Sequence, residues 1–195
     1  ALAPVLAGTL ARFHWYLPTA RIADTATLMK GFAAGIRRRG SSIQTGIRVT
    51  RLLTDAERVI GVDTNVGKKF AADVVIAAGA WSGALGHSSP VPLHPVRRTV
   101  LFTEMDNRAT AVHPWCWIHD IGCYVRPDSG RWLCSPCDER LDYTPDLSNS
   151  TGSPEPAAVA LMVSKLKQWF PSIQGLAMES GWTGLRTFAP DRRPI

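Results

Sequence analysis

The sequence predicts an α/β chain with α+β character, and three stretches carry that expectation. After Asp73, the residues Val74, Val75, Ile76, Ala77 and Ala78 form an apolar run without polar alternation. Such a run suits a strand covered on both faces, as in a parallel or mixed sheet. The segment "RIADTATLMKGFAAGIRRRG" (21–40) has the spacing of an amphipathic helix. From residue 91 onward, strand-like runs alternate with Pro, Asp and Gly punctuation, which predicts antiparallel pairing.

The helix in the first half is delimited by its own chemistry. Asp24 is the expected N-cap, Leu28, Phe32 and Ile36 share one face, and Gly40 is the stop. Arg37, Arg38 and Arg39 fall in the last turn, where cations offset the helix dipole and face water, a reading preferred to an anion site. Residues 42–80 then read as a short strand, a hairpin closing at Asp55-Ala56-Glu57, and the buried strand. Gly79, flanked by Ala78 and Ala80, permits close approach to the main chain, by a ligand beyond the strand end or by a neighbouring helix or strand.

Beyond the loop "GHSSPVPLHP" (86–95), the runs "VRRTVLFTEM", "WCWIHDIGCYVRP" and "GRWLCSPCDE" are expected as consecutive strands, with a turn at Pro127-Asp128-Ser129-Gly130. A polar loop, "DYTPDLSNSTGSPEP" (142–156), leads to a helix near Ala157–Phe170, with Val159, Val163, Leu166 and Phe170 at helical spacing and Pro171 ending it. Residues 176–195 read as one more strand followed by a loop.

With 195 residues, 45% of them hydrophobic, the chain can bury a full core. The net charge of +6 is spread along the sequence, and no stripe of arginines interleaved with aromatics appears, so nucleic-acid binding is not expected. No apolar stretch reaches the roughly 18 to 20 residues of a membrane span, and the first residues lack the charged n-region of a secretory signal; a cytoplasmic protein is the expectation. Cys134 and Cys137 form a Cys-x-x-Cys, but neither two further zinc ligands at matching spacing nor a strand-to-helix redox setting accompanies them. Together with Cys116 and Cys123 they are expected as free thiols in or beside a sheet, and no metal site is expected.

Taken in order, "DVVIAAGAWSGAL", "VPLHPVRRTVLF", "CYVRPDSGRWLCSP" and "SGWTGLRTFAPDRRPI" resemble the FAD-dependent D-amino-acid oxidase, glycine oxidase and sarcosine oxidase family. The most specific piece is Trp182-Thr183-Gly184-Leu185-Arg186 followed by Pro190-Asp191; Ala78-Gly79-Ala80-Trp81-Ser82 after the Val-rich run comes next. The resemblance implies a Rossmann-like FAD lobe plus a substrate lobe with a large mixed or antiparallel sheet. On it, residues 1–22 and 91–185 belong to the substrate lobe, 23–90 to a partial FAD lobe, and 186–195 return toward that lobe. The family's opening G-x-G-x-x-G turn has no counterpart here, since Gly79, Gly83 and Gly86 do not fit its spacing. The chain is therefore expected to be an internal fragment of a longer enzyme.

The resemblance also implies roles for named residues. Arg186 matches the arginine that holds the substrate carboxylate, a task suited to a planar guanidinium fork; the other reading is a strand-end arginine in a surface ion pair. Gly184 would leave room beside it and Trp182 would supply an apolar wall. Tyr124 matches the place of an aromatic hydroxyl near the substrate, beside Arg186, unless the alignment slips by one and Cys123 takes that place. Arg126 is expected on the opposite face. For the cofactor, Val49 matches a position whose main chain pairs with the adenine edge, and Ala78, Gly79 and Trp81 match the turn beside the dinucleotide.

The implied activity is hydride transfer from a small amino acid or N-methyl amine to the flavin, giving an imine that water hydrolyses. Implied partners are that substrate and an electron acceptor, which could be oxygen, a quinone or a carrier. The alternative is a substrate-binding or interaction module without turnover, a reading favoured for this polypeptide by the missing pyrophosphate turn.

Overall fold

A computed structural model describes residues 2–85, 92–142 and 152–193. The larger parts of the two loops expected at 86–95 and 142–156 lie outside the described residues. The chain forms two compact units, one of residues 13–77 and 84–89, the other of 1–12, 78–83 and 90–195.

In the first of these units, helix α1 spans Thr25–Arg38. Its cap is the expected one: the Asp24 carboxylate accepts from the Thr27 backbone N–H at 3.1 Å and from its hydroxyl at 2.7 Å. Gly40 follows at φ +76°, the left-handed conformation that ends helices. Three antiparallel strands form a meander in the order β1 (Val49–Asp55), β2 (Arg58–Thr64), β3 (Gly67–Phe70). The hairpin at Asp55–Arg58 is where the sequence places it, and β3 is an addition to the expected pattern. Gly61 is required in β2: a Cβ there would meet the Lys69 carbonyl oxygen at 2.1 Å.

The buried strand expected over residues 74–78 is not formed. Residues 71–78 carry no strand assignment, and Val75 is 88% exposed. An apolar run becomes a strand only when a neighbour completes its hydrogen-bond ladder, and no such partner occurs among the described residues. Gly79–Leu85 follows as a 3-10 helical turn.

The second unit is built on a six-stranded antiparallel sheet: β4 (His94–Met105), β5 (Cys116–Ile118), β6 (Cys123–Asp128), β7 (Arg131–Ser135), β8 (Arg140–Leu141) and β9 (Met178–Phe188). Strand β4 is central, pairing with β7 and β8 on one side and with β9 along its length on the other. The β6–β7 turn centres on Ser129 and Gly130, with φ of +51° and +81°, the two positive values of a tight hairpin turn.

Helix α2 (Pro156–Trp169) buries Ala158, Met162 and Leu166, and Phe170 continues that stripe beyond its end. The expected helix is present, although Val159 and Val163 lie beside the buried stripe rather than within it. Met162, Leu166, Phe170 and Ile173 join Leu101, Val125, Trp132, Cys116, Cys123 and Cys134 from the sheet in one core cluster. Lys165 ties the same helix to the sheet, its ammonium donating to the carbonyls of Ile121, Gly122 and Pro136 at 2.7, 3.1 and 2.7 Å. The Trp132 indole donates to Asp106 at 2.9 Å, and the Arg108 guanidinium grips the same carboxylate.

The four cysteines are free thiols, three of them buried. Burial pushes the Cys116 thiol up to about 11 and Cys123 to about 12, so both stay protonated near neutrality. Among the described residues, no group of three or more His, Cys, Asp or Glu could hold a metal, and no helix is long and apolar enough to cross a membrane.

Candidate functional site

Strand alternation sorts the side chains of the six-stranded sheet onto two faces. Leu101 stands opposite Cys134 and Gly181, and Val125 opposite Cys134, all toward the core. The intervening residues therefore share the other face: Val96, Arg98 and Val100 on β4, Tyr124 on β6, Ser135 on β7, and Trp182, Gly184 and Arg186 on β9. Tyr124 and Arg186 thus lie on one face, and Cys123 is fully buried on the other. Of the two residues the sequence left open, Tyr124 shares a face with Arg186 and Cys123 does not.

On that face Arg186 is exposed, its guanidinium 4.9 Å from the centroid of the Phe188 ring. No ion pair engages it among the described residues. The room that Gly184 provides is taken by Trp182, whose ring lies 2.7 Å from where a Cβ would stand, so any side chain at 184 would displace the indole. Trp182 itself is 49% exposed.

Tyr124 is not beside Arg186. Three strand spacings, roughly 14 Å, separate β6 from β9. The arginines whose charges reach Tyr124 are Arg98 and Arg126. Burial raises the Tyr124 pKa, with the Ser135 hydroxyl and both arginines acting against it, so the phenol remains a hydrogen-bond donor. Arg126, expected on the opposite face, shares the face of Tyr124, because residues two apart on a strand point the same way; it pairs with Asp128 at 3.0 Å.

Two further features of this face were not read from the sequence. Trp115 and Trp117, 44% and 48% exposed, pack around Tyr124, with ring centroids 5.1 and 5.5 Å from its ring. Arg98, opposite Gly184, pairs with Glu139 at 2.7 Å. Period-2 alternation through Val96, Arg98 and Val100 was the available signal for Arg98; Glu139 comes from a distant loop and left none.

The expected cofactor residues fall in both units and are taken separately. Gly79 has φ +53°, a conformation natural to glycine, and nothing lies within 4 Å of where its Cβ would be. Backbone conformation rather than close packing thus calls for glycine, and the space over it is open. Trp81 is partly buried in the same turn, its N–H bonded to the Ala78 carbonyl at 3.1 Å. Val49 opens β1, an edge strand. The N–H and C=O of Arg48 are both turned toward Asn65, so strand alternation turns those of Val49 to the unpaired edge.

A family model described as FAD dependent oxidoreductase matches residues 1–195. Among curated proteins, the chain is 28% identical over 173 residues to hydrogen cyanide synthase subunit HcnC of Pseudomonas aeruginosa, covering 86% of this chain and 39% of that protein. It is also 28% identical over 184 residues to D-amino acid dehydrogenase of Methylobacterium nodulans, covering 92% and 42%. The chain thus spans about two fifths of these relatives' length. Among solved structures, L-proline dehydrogenase from P. horikoshii matches with a TM-score of 0.73 at 20% identity over 88% of this chain and 46% of that one. Glycine oxidase from Geobacillus kaustophilus matches with 0.67 at 21% identity over 86% and 43%. Both likenesses are of fold.

Proposed function

The chain belongs to the FAD dependent oxidoreductase family, and from that premise we propose that it is part of a longer enzyme oxidising the C–N bond of an amino acid or amine. The observation that carries this reading is Arg186, an exposed arginine on the face of the sheet away from α2, in no ion pair among the described residues. It stands ready to clamp a substrate carboxylate through parallel hydrogen bonds. Tyr124, kept protonated by burial, adds a donor to the same face, and Trp182 lies over Gly184 on it.

The residues present fit FAD. The turn at Ala78, Gly79 and Trp81 offers open space over a glycine, where a flat group can lie against main chain. Val49 presents an unpaired N–H and C=O at a strand edge, the donor and acceptor that an adenine edge matches. The chemistry that bound FAD supplies is two-electron oxidation of the substrate, here giving an imine. The protein's share is to bind and orient the carboxylate so that the C–H bond faces the flavin.

The test uses the full-length protein. Arg186→Ala is expected to raise KM for the amino acid roughly 10- to 150-fold, the worth of hydrogen bonds to a charged partner, while flavin content stays normal. Unchanged kinetics would remove Arg186 from the site. Full-length protein that stays colourless with FAD would instead favour a binding module without turnover, the reading motivated by the missing G-x-G-x-x-G turn.

A further inference from the structure

Two guanidinium groups grip one carboxylate beside the sheet, and the charge of a third reaches it. Arg98 donates Nη2 to Oε1 of Glu139 at 2.7 Å. Arg192 donates Nη2 to Oε2 at 2.5 Å and Nη1 to Oε1 at 3.3 Å, a two-point fork. Arg186 acts on the same carboxylate through its field. Arg186 and Arg192 both lie against Phe188, each guanidinium 4.9 Å from the ring centroid.

The other acids nearby are already engaged. Asp138 accepts from the backbone N–H and hydroxyl of Thr99, and Asp142 pairs with Arg97. Among the described residues, Glu139 is the only carboxylate in contact with Arg98 or Arg192. Among the described residues, the charges of three cations thus bear on this one anion. Arg98 has donor capacity to spare, since its Nε is buried without a hydrogen-bond partner among the described residues.

We infer that Glu139 is a specificity-determining residue: an internal carboxylate that occupies the place of a ligand's second acid group, so that the site takes substrates bearing one negative charge. The inference rests on the reading of Arg186 as the carboxylate anchor. With Glu139 in place, Arg98 and Arg192 are engaged and a single carboxylate finds Arg186. A ligand with a second carboxylate must displace Glu139 or leave its own charge beside it, and like charges at such range repel.

The experiment compares propionate and succinate, carboxylates that are not oxidised at a C–N bond, as ligands of the full-length flavin-loaded protein. Binding is read by thermal shift and by perturbation of the flavin bands. Glu139→Gln keeps the shape and removes the charge; it is expected to tighten succinate about tenfold or more and propionate by less than about threefold, the difference one released charge pair makes. Glu139→Asp keeps the charge and is expected to retain the wild-type preference. Adding Arg192→Ala to Glu139→Gln is expected to abolish the gain. If the folded Glu139→Gln protein binds both acids with equal change, or neither more tightly, the inference is overturned. An Arg186→Ala control separates the two readings: propionate binding that depends on Arg186 without any succinate gain removes only the role of Glu139. Propionate binding indifferent to Arg186 removes the anchor and this inference with it.

Discussion

In the unit of residues 1–12, 78–83 and 90–195, Leu101, Trp132, Met162, Leu166 and Phe170 are each at most 1% exposed. In the unit of 13–77 and 84–89, Phe13, Trp15 and Val75 are exposed at 93, 89 and 88%. The sheet unit closes a core of its own, with α2 laid on one face and its polar groups answered by Lys165 and Asp106. In the other unit α1 has a formed cap and a formed stop, yet Leu28, Phe32 and Ile36 remain uncovered along its apolar face. Local chemistry is enough to shape a helix; only a neighbour of matching apolar surface stabilises it. An apolar face left exposed in this way is the kind of surface that marks an interaction site.

Four measurements break or sharpen that contrast. The largest effect belongs to the sheet unit: Trp132→Ala is expected to cost about 3–5 kcal/mol in urea unfolding, because it empties a core site and leaves Asp106 without its indole donor. Lys165→Met keeps the apolar stem but strands three carbonyls, and should cost about 2 kcal/mol by the same measurement.

The third is a pH dependence. The Arg108 guanidinium, joined by the Trp132 indole and outweighing burial, holds the Asp106 carboxyl at about 2, below its ordinary 3.8. Its contribution is therefore complete above pH 4 and lost as pH falls toward 2, an effect of about 1–2 kcal/mol. The difference in unfolding midpoint between wild type and Asp106→Asn is expected to vanish over that range; a constant difference would remove the ion pair from the account. The smallest effect is expected from Phe32→Ala, which should change the stability of this chain by less than about 0.5 kcal/mol, since Phe32 is 62% exposed. In the full-length protein the same change should cost about 2–4 kcal/mol. Equal small values in both would mean that nothing covers α1.

What the residues alone determined was local. The α1 cap at Asp24 and stop at Gly40, the hairpins at Ala56 and Ser129-Gly130, and the strand pattern of β4, β6, β7 and β9 follow from preferences that act within a few residues. The Trp182–Arg186 motif, by contrast, was legible only through the resemblance to a known family. Pairing was decided by the tertiary structure. Val74–Ala78 reads as a strand by composition but lacks a ladder here, because hydrogen bonds between strands depend on residues distant in sequence. Face and neighbour were decided in the same way: register put Tyr124 with Arg98 rather than Arg186, turned Cys123 into the core, and brought Glu139 from a loop to meet Arg98 and Arg192. Charge and hydrogen bonding act over a few ångströms of space, and only the folded sheet sets which side chains lie within that range.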